Sequence, residues 1–133
     1  MQDKTIQEPL VIAEIGCNHC GNFDTAIKMI KIAAEFCKAD VVKFQKRCNK
    51  ELLTYDEYNN PHPNPINSFG KTYGEHREFL EFDLEQNIRL KEVCEDYNVI
   101  FSTSVWDPTS TKEIISINPK LITNEENLLI KLR

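Results

Sequence analysis

Leu10-Val11-Ile12-Ala13-Glu14-Ile15, closed by Gly16, and Val41-Val42-Lys43-Phe44-Gln45 are two short apolar runs, and what lies between them decides the fold. Each run is too short for a helix and rich in branched side chains, so each reads as a buried strand. Between them Ala26, Ile30, Ala33, Ala34 and Cys37 recur at helical spacing, while Lys28, Lys31, Glu35 and Lys38 take the opposite side. A helix is therefore expected from about Asp24, which reads as its cap. Strand, helix and strand make a βαβ unit, with two parallel strands joined by a right-handed crossover, and the chain is assigned to the α/β class.

Working outward, the rhythm breaks over residues 46–82. Asn59, Asn60, Pro61, Pro63, Asn64 and Pro65 cluster in its middle and argue for a long loop insertion. Tyr73-Gly74-Glu75-His76-Arg77-Glu78 suits a loop that faces a ligand. Periodicity returns at Asp83, which with Gln86 forms a capping-box pattern ahead of Leu90, Val93, Cys94 and Tyr97. Val99 to Ser104 reads as the third strand, Thr109 to Ile117 as the next helix, and Leu121-Ile122 as the stub of a fourth strand. The tail from Glu125 to Leu132 is a candidate short fourth helix, with nothing diagnostic in it. Residues 1–133 are thus read as one domain, a partial barrel of about the first three to four βα units.

Sixteen basic against twenty-one acidic residues give a formal charge of −5, which argues against a nucleic acid or an anionic membrane as the main partner. No run approaches the roughly 18 apolar residues needed to span a bilayer, and Met1-Gln2-Asp3-Lys4 lacks a signal-peptide pattern. A cytoplasmic location is the default expectation. The five cysteines are odd in number and unevenly spaced, as expected of reduced thiols, with Cys37 and Cys94 on the apolar stripes of helices. Cys17-Asn18-His19-Cys20 lacks the second ligand pair that a structural zinc site wants.

The chemistry sits at the strand ends. Glu14 interrupts the first strand, Lys43 and Gln45 the second, and Ser102, Thr103 and Ser104 close the third. Parallel α/β sheets bind ligands at these carboxyl ends, and a carboxylate, a cation and hydroxyls on one rim suit an anionic substrate and proton transfer. The same pattern is also what a buried structural Glu14–Lys43 ion pair would give.

Four ordered blocks carry a family resemblance: Ile12-Ala13-Glu14-Ile15-Gly16-Cys17-Asn18-His19, Ala39-Asp40-Val41-Val42-Lys43-Phe44-Gln45, Gly70-Lys71-Thr72-Tyr73-Gly74-Glu75-His76-Arg77-Glu78 and Ser102-Thr103-Ser104-Val105-Trp106-Asp107. Together they resemble the sialic acid synthase family over about residues 10–122. The resemblance implies a (β/α)8 TIM barrel that condenses phosphoenolpyruvate with N-acetylmannosamine or a related amino sugar and releases phosphate. It implies that Glu14 handles protons or orients the sugar, that Lys43 and Thr103 contact phosphoenolpyruvate with Ser102 alongside, and that Gln45 lies near the sugar. Asn18 falls in the loop after the first strand, and His76 and Arg77 are further candidates as proton donor and substrate clamp.

A complete barrel needs about 250 residues. The family implies a divalent metal, Mn or Mg, bound by two later histidines that this sequence does not contain, so no metal ligand is assigned. The lysine, serine and glutamate of the family's fourth strand, and its antifreeze-like domain, are not present either. The expectation is a homo-oligomer, or a barrel completed by another chain. Two further readings stand beside the synthase: a non-catalytic fragment of one, and another phosphoenolpyruvate-using barrel enzyme.

Overall fold

A computed structural model of the protein describes residues 9–124 and 129–131. In chain order these hold β1 (Ile12–Gly16), α1 (Phe23–Glu35), β2 (Val41–Lys46), α2 (Asn49–Leu52), α3 (Tyr55–Asn59), a 3-10 turn (Pro65–Asn67), α4 (Tyr73–Phe79), α5 (Leu84–Asp96), β3 (Ile100–Val105), α6 (Pro108–Ser116), β4 (Leu121–Asn124) and β5 (Leu129–Lys131). The sheet runs β1-β2-β3-β4-β5. Its first four strands are parallel and in sequence order, the winding that a partial barrel requires.

The three long helices pack on one face of the sheet. Ala26, Ile30 and Ala33 of α1 and Leu90, Val93 and Cys94 of α5 close over Ile15, Val42, Phe44 and Phe101, while Ile114 of α6 meets Val105 and Ile122. Helices on both faces would give a doubly wound sheet, whereas helices on one face leave the other as the inner wall of a barrel. Phe44 is fully buried in this layer, and burial of a side chain of that size contributes about 1.5–3 kcal/mol.

Several sequence expectations are corrected. Asn22, not Asp24, caps α1, accepting the Thr25 N–H at 2.8 Å. Cys37 lies past the end of α1 and is exposed, whereas Cys94 is core. Residues 46–82 are not an irregular loop but a chain of short helices. Thr72 caps α4, which turns the expected ligand-facing loop at Tyr73–Glu78 into helix. The proline cluster does break the chain, between α3 and α4. In the tail, Leu129–Lys131 pairs antiparallel with β4 instead of forming a helix, and residues 125–128 and 132–133 lie outside the described residues.

Candidate active site on the inner face of the sheet

Register fixes which side chains share the inner face. Glu14 pairs with Lys43, Lys43 with Ser102, and Ser102 with Leu121, which makes one row across four strands. Gln45, Ser104 and Thr123 form the next row, one pleat nearer the carboxyl ends. Lys43 Nζ lies 2.6 Å from Glu14 Oε2, with Lys43 largely buried and Glu14 half exposed. Ser104 Oγ and Thr123 Oγ1 are 2.6 Å apart. Ser102 is fully buried, and its hydroxyl has no hydrogen-bond partner among the described residues.

Thr103 does not join this group. It pairs with Phe44 and Ile122, whose side chains belong to the helix layer, so the strand's two-residue alternation turns Thr103 away from Lys43. Ser102 and Ser104 take the inner positions instead. The sequence places the three hydroxyl residues at the strand end, but the face that each occupies depends on the register with β2.

A bulge at the end of β1 shifts the register between Glu14 and Gly16 and gives Gly16 a φ of +56°, a conformation that glycine adopts without strain. A side chain there would start 3.5 Å from Glu14 Oε1 and 3.7 Å from Gln45 Nε2, so its absence keeps open the space between carboxylate and amide. Asn18 closes the turn that follows, its side-chain Nδ2 donating to Ile15 O at 2.9 Å. His19 is buried, stacks on Phe82 at 4.2 Å and accepts the Gly21 N–H on Nδ1 at 3.1 Å. Burial pushes its pKa down, and a neutral imidazole locked into the core has a structural role.

Beyond Gln45 the rim holds a cluster that local sequence pattern does not reveal. The Arg47 guanidinium contacts Gln45 Oε1 and reaches Cys17 Sγ at 2.9 Å. It also pairs with Glu81 at 3.4 Å and lies 5.5 Å from the Trp106 ring centroid. Burial raises the Glu81 pKa against the opposing pull of Arg47, and it raises the Cys17 thiol likewise. Arg77 bonds Tyr73 Oη at 2.9 Å, and its charge is near enough to lower both Glu81 and Cys17. His76 is held elsewhere: its Nδ1 accepts the Phe69 N–H at 3.2 Å, and its ring packs on His62 at 4.3 Å. Of the two candidates on α4, Arg77 joins the rim cluster, whereas His76 is engaged within its own excursion. Among the described residues no group of three His, Cys, Asp or Glu side chains could hold a metal ion, and no helix is long and apolar enough to cross a membrane.

Comparison with known proteins identifies relatives over most of the chain. The chain is 38% identical over 113 residues to the N-acetylneuraminate-9-phosphate synthase of Homo sapiens, which covers 81% of this chain and 30% of that protein. The synthase of the same name from Drosophila melanogaster is 37% identical over 123 residues, covering 90% and 32%. The chain thus spans about a third of the length of the curated relatives it matches. In fold it resembles the N-acetylneuraminic acid synthetase of Leptospira borgpetersenii, with a TM-score of 0.69 over 89% of this chain and 36% of that one, at 24% identity. The NeuB family model matches residues 29–123, a stretch from α1 through β4 that contains the Lys43–Ser102 row, and the chain belongs to the NeuB family.

Proposed function

We propose that this chain forms part of a synthase that condenses phosphoenolpyruvate with an amino sugar, and that its inner-face row binds the reacting ends of both. The observation that carries the reading is the Lys43–Glu14 pair, 2.6 Å apart on the inner face, with the unpartnered Ser102 hydroxyl beside it. A largely buried ammonium is a strong point charge for a carboxylate or phosphate, and hydroxyls complete such a site with donors. As phosphoenolpyruvate enters, Lys43 exchanges Glu14 for the anion, with Ser102 and Ser104 as the hydroxyl donors. Released, Glu14 faces the sugar. As pyruvyl C3 forms the new bond to the aldehyde carbon, water adds to the pyruvyl C2 and gives up a proton, which the Glu14 carboxylate relays to the aldehyde oxygen, and phosphate leaves by carbon–oxygen cleavage. The described residues do not fit a metal site, so none of these steps is routed through one.

The other strands of the barrel come from further residues of the same polypeptide or from a partner chain, since the matched relatives are about three times as long. N-acetylmannosamine, its phosphate ester and diamino sugars are the candidate acceptors. The test is phosphate release from phosphoenolpyruvate with Mn²⁺ and this sugar panel, on the chain alone and with any co-encoded partner. Sugar-dependent release that falls about a hundredfold or more in Lys43→Met supports the reading. Release that is indifferent to Lys43 contradicts it, and no release in any combination favours a non-catalytic relative.

A further inference from the structure

We propose that Arg47, anchored by Glu81, is a positioning residue that turns the N–H end of the Gln45 amide toward a substrate hydroxyl beside Glu14. The inference rests on the substrate reading above only for the identity of that hydroxyl. The Gln45 amide has an acceptor end and a donor end, and its partners decide which faces where. Two donors converge on Oε1: the Arg47 guanidinium and, at 3.6 Å, the Cys17 thiol. The flipped amide would set N–H against guanidinium and forfeit both contacts. With Oε1 held, Nε2 is left on the Gly16 side, 3.7 Å from where a Gly16 Cβ would lie, and Glu14 Oε1 is 3.5 Å from that same position. A group that both accepts and donates fits between an amide N–H and a carboxylate, and a sugar hydroxyl is such a group.

Arg47 is itself fixed on several sides. It is 9% exposed, its backbone N–H donates to Glu81 Oε2 at 3.0 Å, its Nε lies 3.4 Å from Glu81 Oε1, and Trp106 lies 5.5 Å from its charge. Glu81 follows α4, so the excursion between β2 and α5 buttresses the rim of the site through this carboxylate. A lysine at 47 would keep the charge but not the planar fork that reaches Glu81, Gln45 and Cys17 together.

The experiment is ¹⁵N NMR of the Gln45 side-chain amide in the full chain, combined with titration by the amino-sugar panel. Arg47→Met alone leaves Glu81 as an unpaired buried charge, so Arg47→Met/Glu81→Gln is made as the variant that keeps the fold. Gln45→Glu retains the acceptor for Arg47 but has no N–H to offer. In the wild type the two amide N–H signals should be displaced and rigid, and in the double variant they should move to random-coil positions with fast side-chain motion, with Arg47→Lys intermediate. Gln45→Glu should bind sugar about tenfold more weakly with the fold intact. A rigid amide in the double variant, or wild-type sugar affinity in Gln45→Glu, overturns the proposal. A mobile amide in the double variant with no sugar bound by the wild type upholds the Arg47–Gln45 link and overturns the substrate reading instead.

Discussion

Asp107 Oδ2 accepts the backbone N–H of Cys48 at 2.6 Å, joining the ends of β2 and β3 across 59 residues of sequence. The same carboxylate caps α6, taking Ser110 N–H on Oδ1 at 2.7 Å and Ser110 Oγ–H on Oδ2 at 2.8 Å. A buried acidic residue with three donors therefore holds two neighbouring strand ends in place, with Cys48 next in the chain to Arg47 of the rim cluster.

Asp107→Ala should destabilise the chain by about 2–4 kcal/mol, the sum of a lost cap and a buried backbone N–H left without a partner. Asp107→Asn, which keeps an acceptor, should recover about half of that. Urea denaturation checks both; a loss below about 1 kcal/mol for alanine would mean that water replaces the carboxylate.

Gly21 has a φ of +71°, and a Cβ there would lie 2.3 Å from the Phe79 carbonyl oxygen. Gly21→Ala should therefore push α4 away from the β1–α1 turn at a cost of about 1–3 kcal/mol. Amide shifts at Phe79 and a lower denaturation midpoint would report it. An unchanged Phe79 environment would contradict the close packing.

His19 has its pKa lowered from 6.5 by burial. The unfolded chain then binds the proton more readily than the folded one, so this residue contributes stability that is full above 6.5 and is lost as the pH falls below it. Its imidazole should titrate below 6.5 in an NMR pH series. Titration at that value would show a solvated ring, and titration above it an ion-paired one.

The βαβ rhythm was legible because it is local: apolar runs of strand length, a helical stripe, and the Asp83–Gln86 capping box, which is present with both its bonds. So was the inner-face pair, since Glu14 and Lys43 intrude on strands that would otherwise be apolar. What sequence could not resolve is set by partners far apart in the chain. The face that Thr103 occupies depends on its register with Phe44. Arg47 and Glu81, 34 residues apart, carry no mutual signal in the sequence. The excursion over residues 46–82 reads as loop because its helices are too short for periodicity and are held by caps and tertiary contacts.

Lys43→Met should change folding stability by no more than about 1 kcal/mol in either direction, because Glu14 is half exposed and returns to water when its partner is removed, while the apolar side chain carries none of the cation's desolvation cost. Its effect should fall on anion binding, measured as below, and not on the denaturation midpoint. A loss of several kcal/mol would make the Glu14–Lys43 pair structural.

The most direct measurement is titration of the chain with phosphoenolpyruvate, followed by the NMR signals of Lys43, Ser102 and Ser104 in the wild type and in Lys43→Met. Lys46, which pairs with Glu113 on the helix side of the sheet at 3.2 Å, is the internal control. The account predicts saturable shifts on the inner face, none at Lys46, and their disappearance in Lys43→Met. Shifts centred on Lys46, or binding that survives the loss of Lys43, would contradict it.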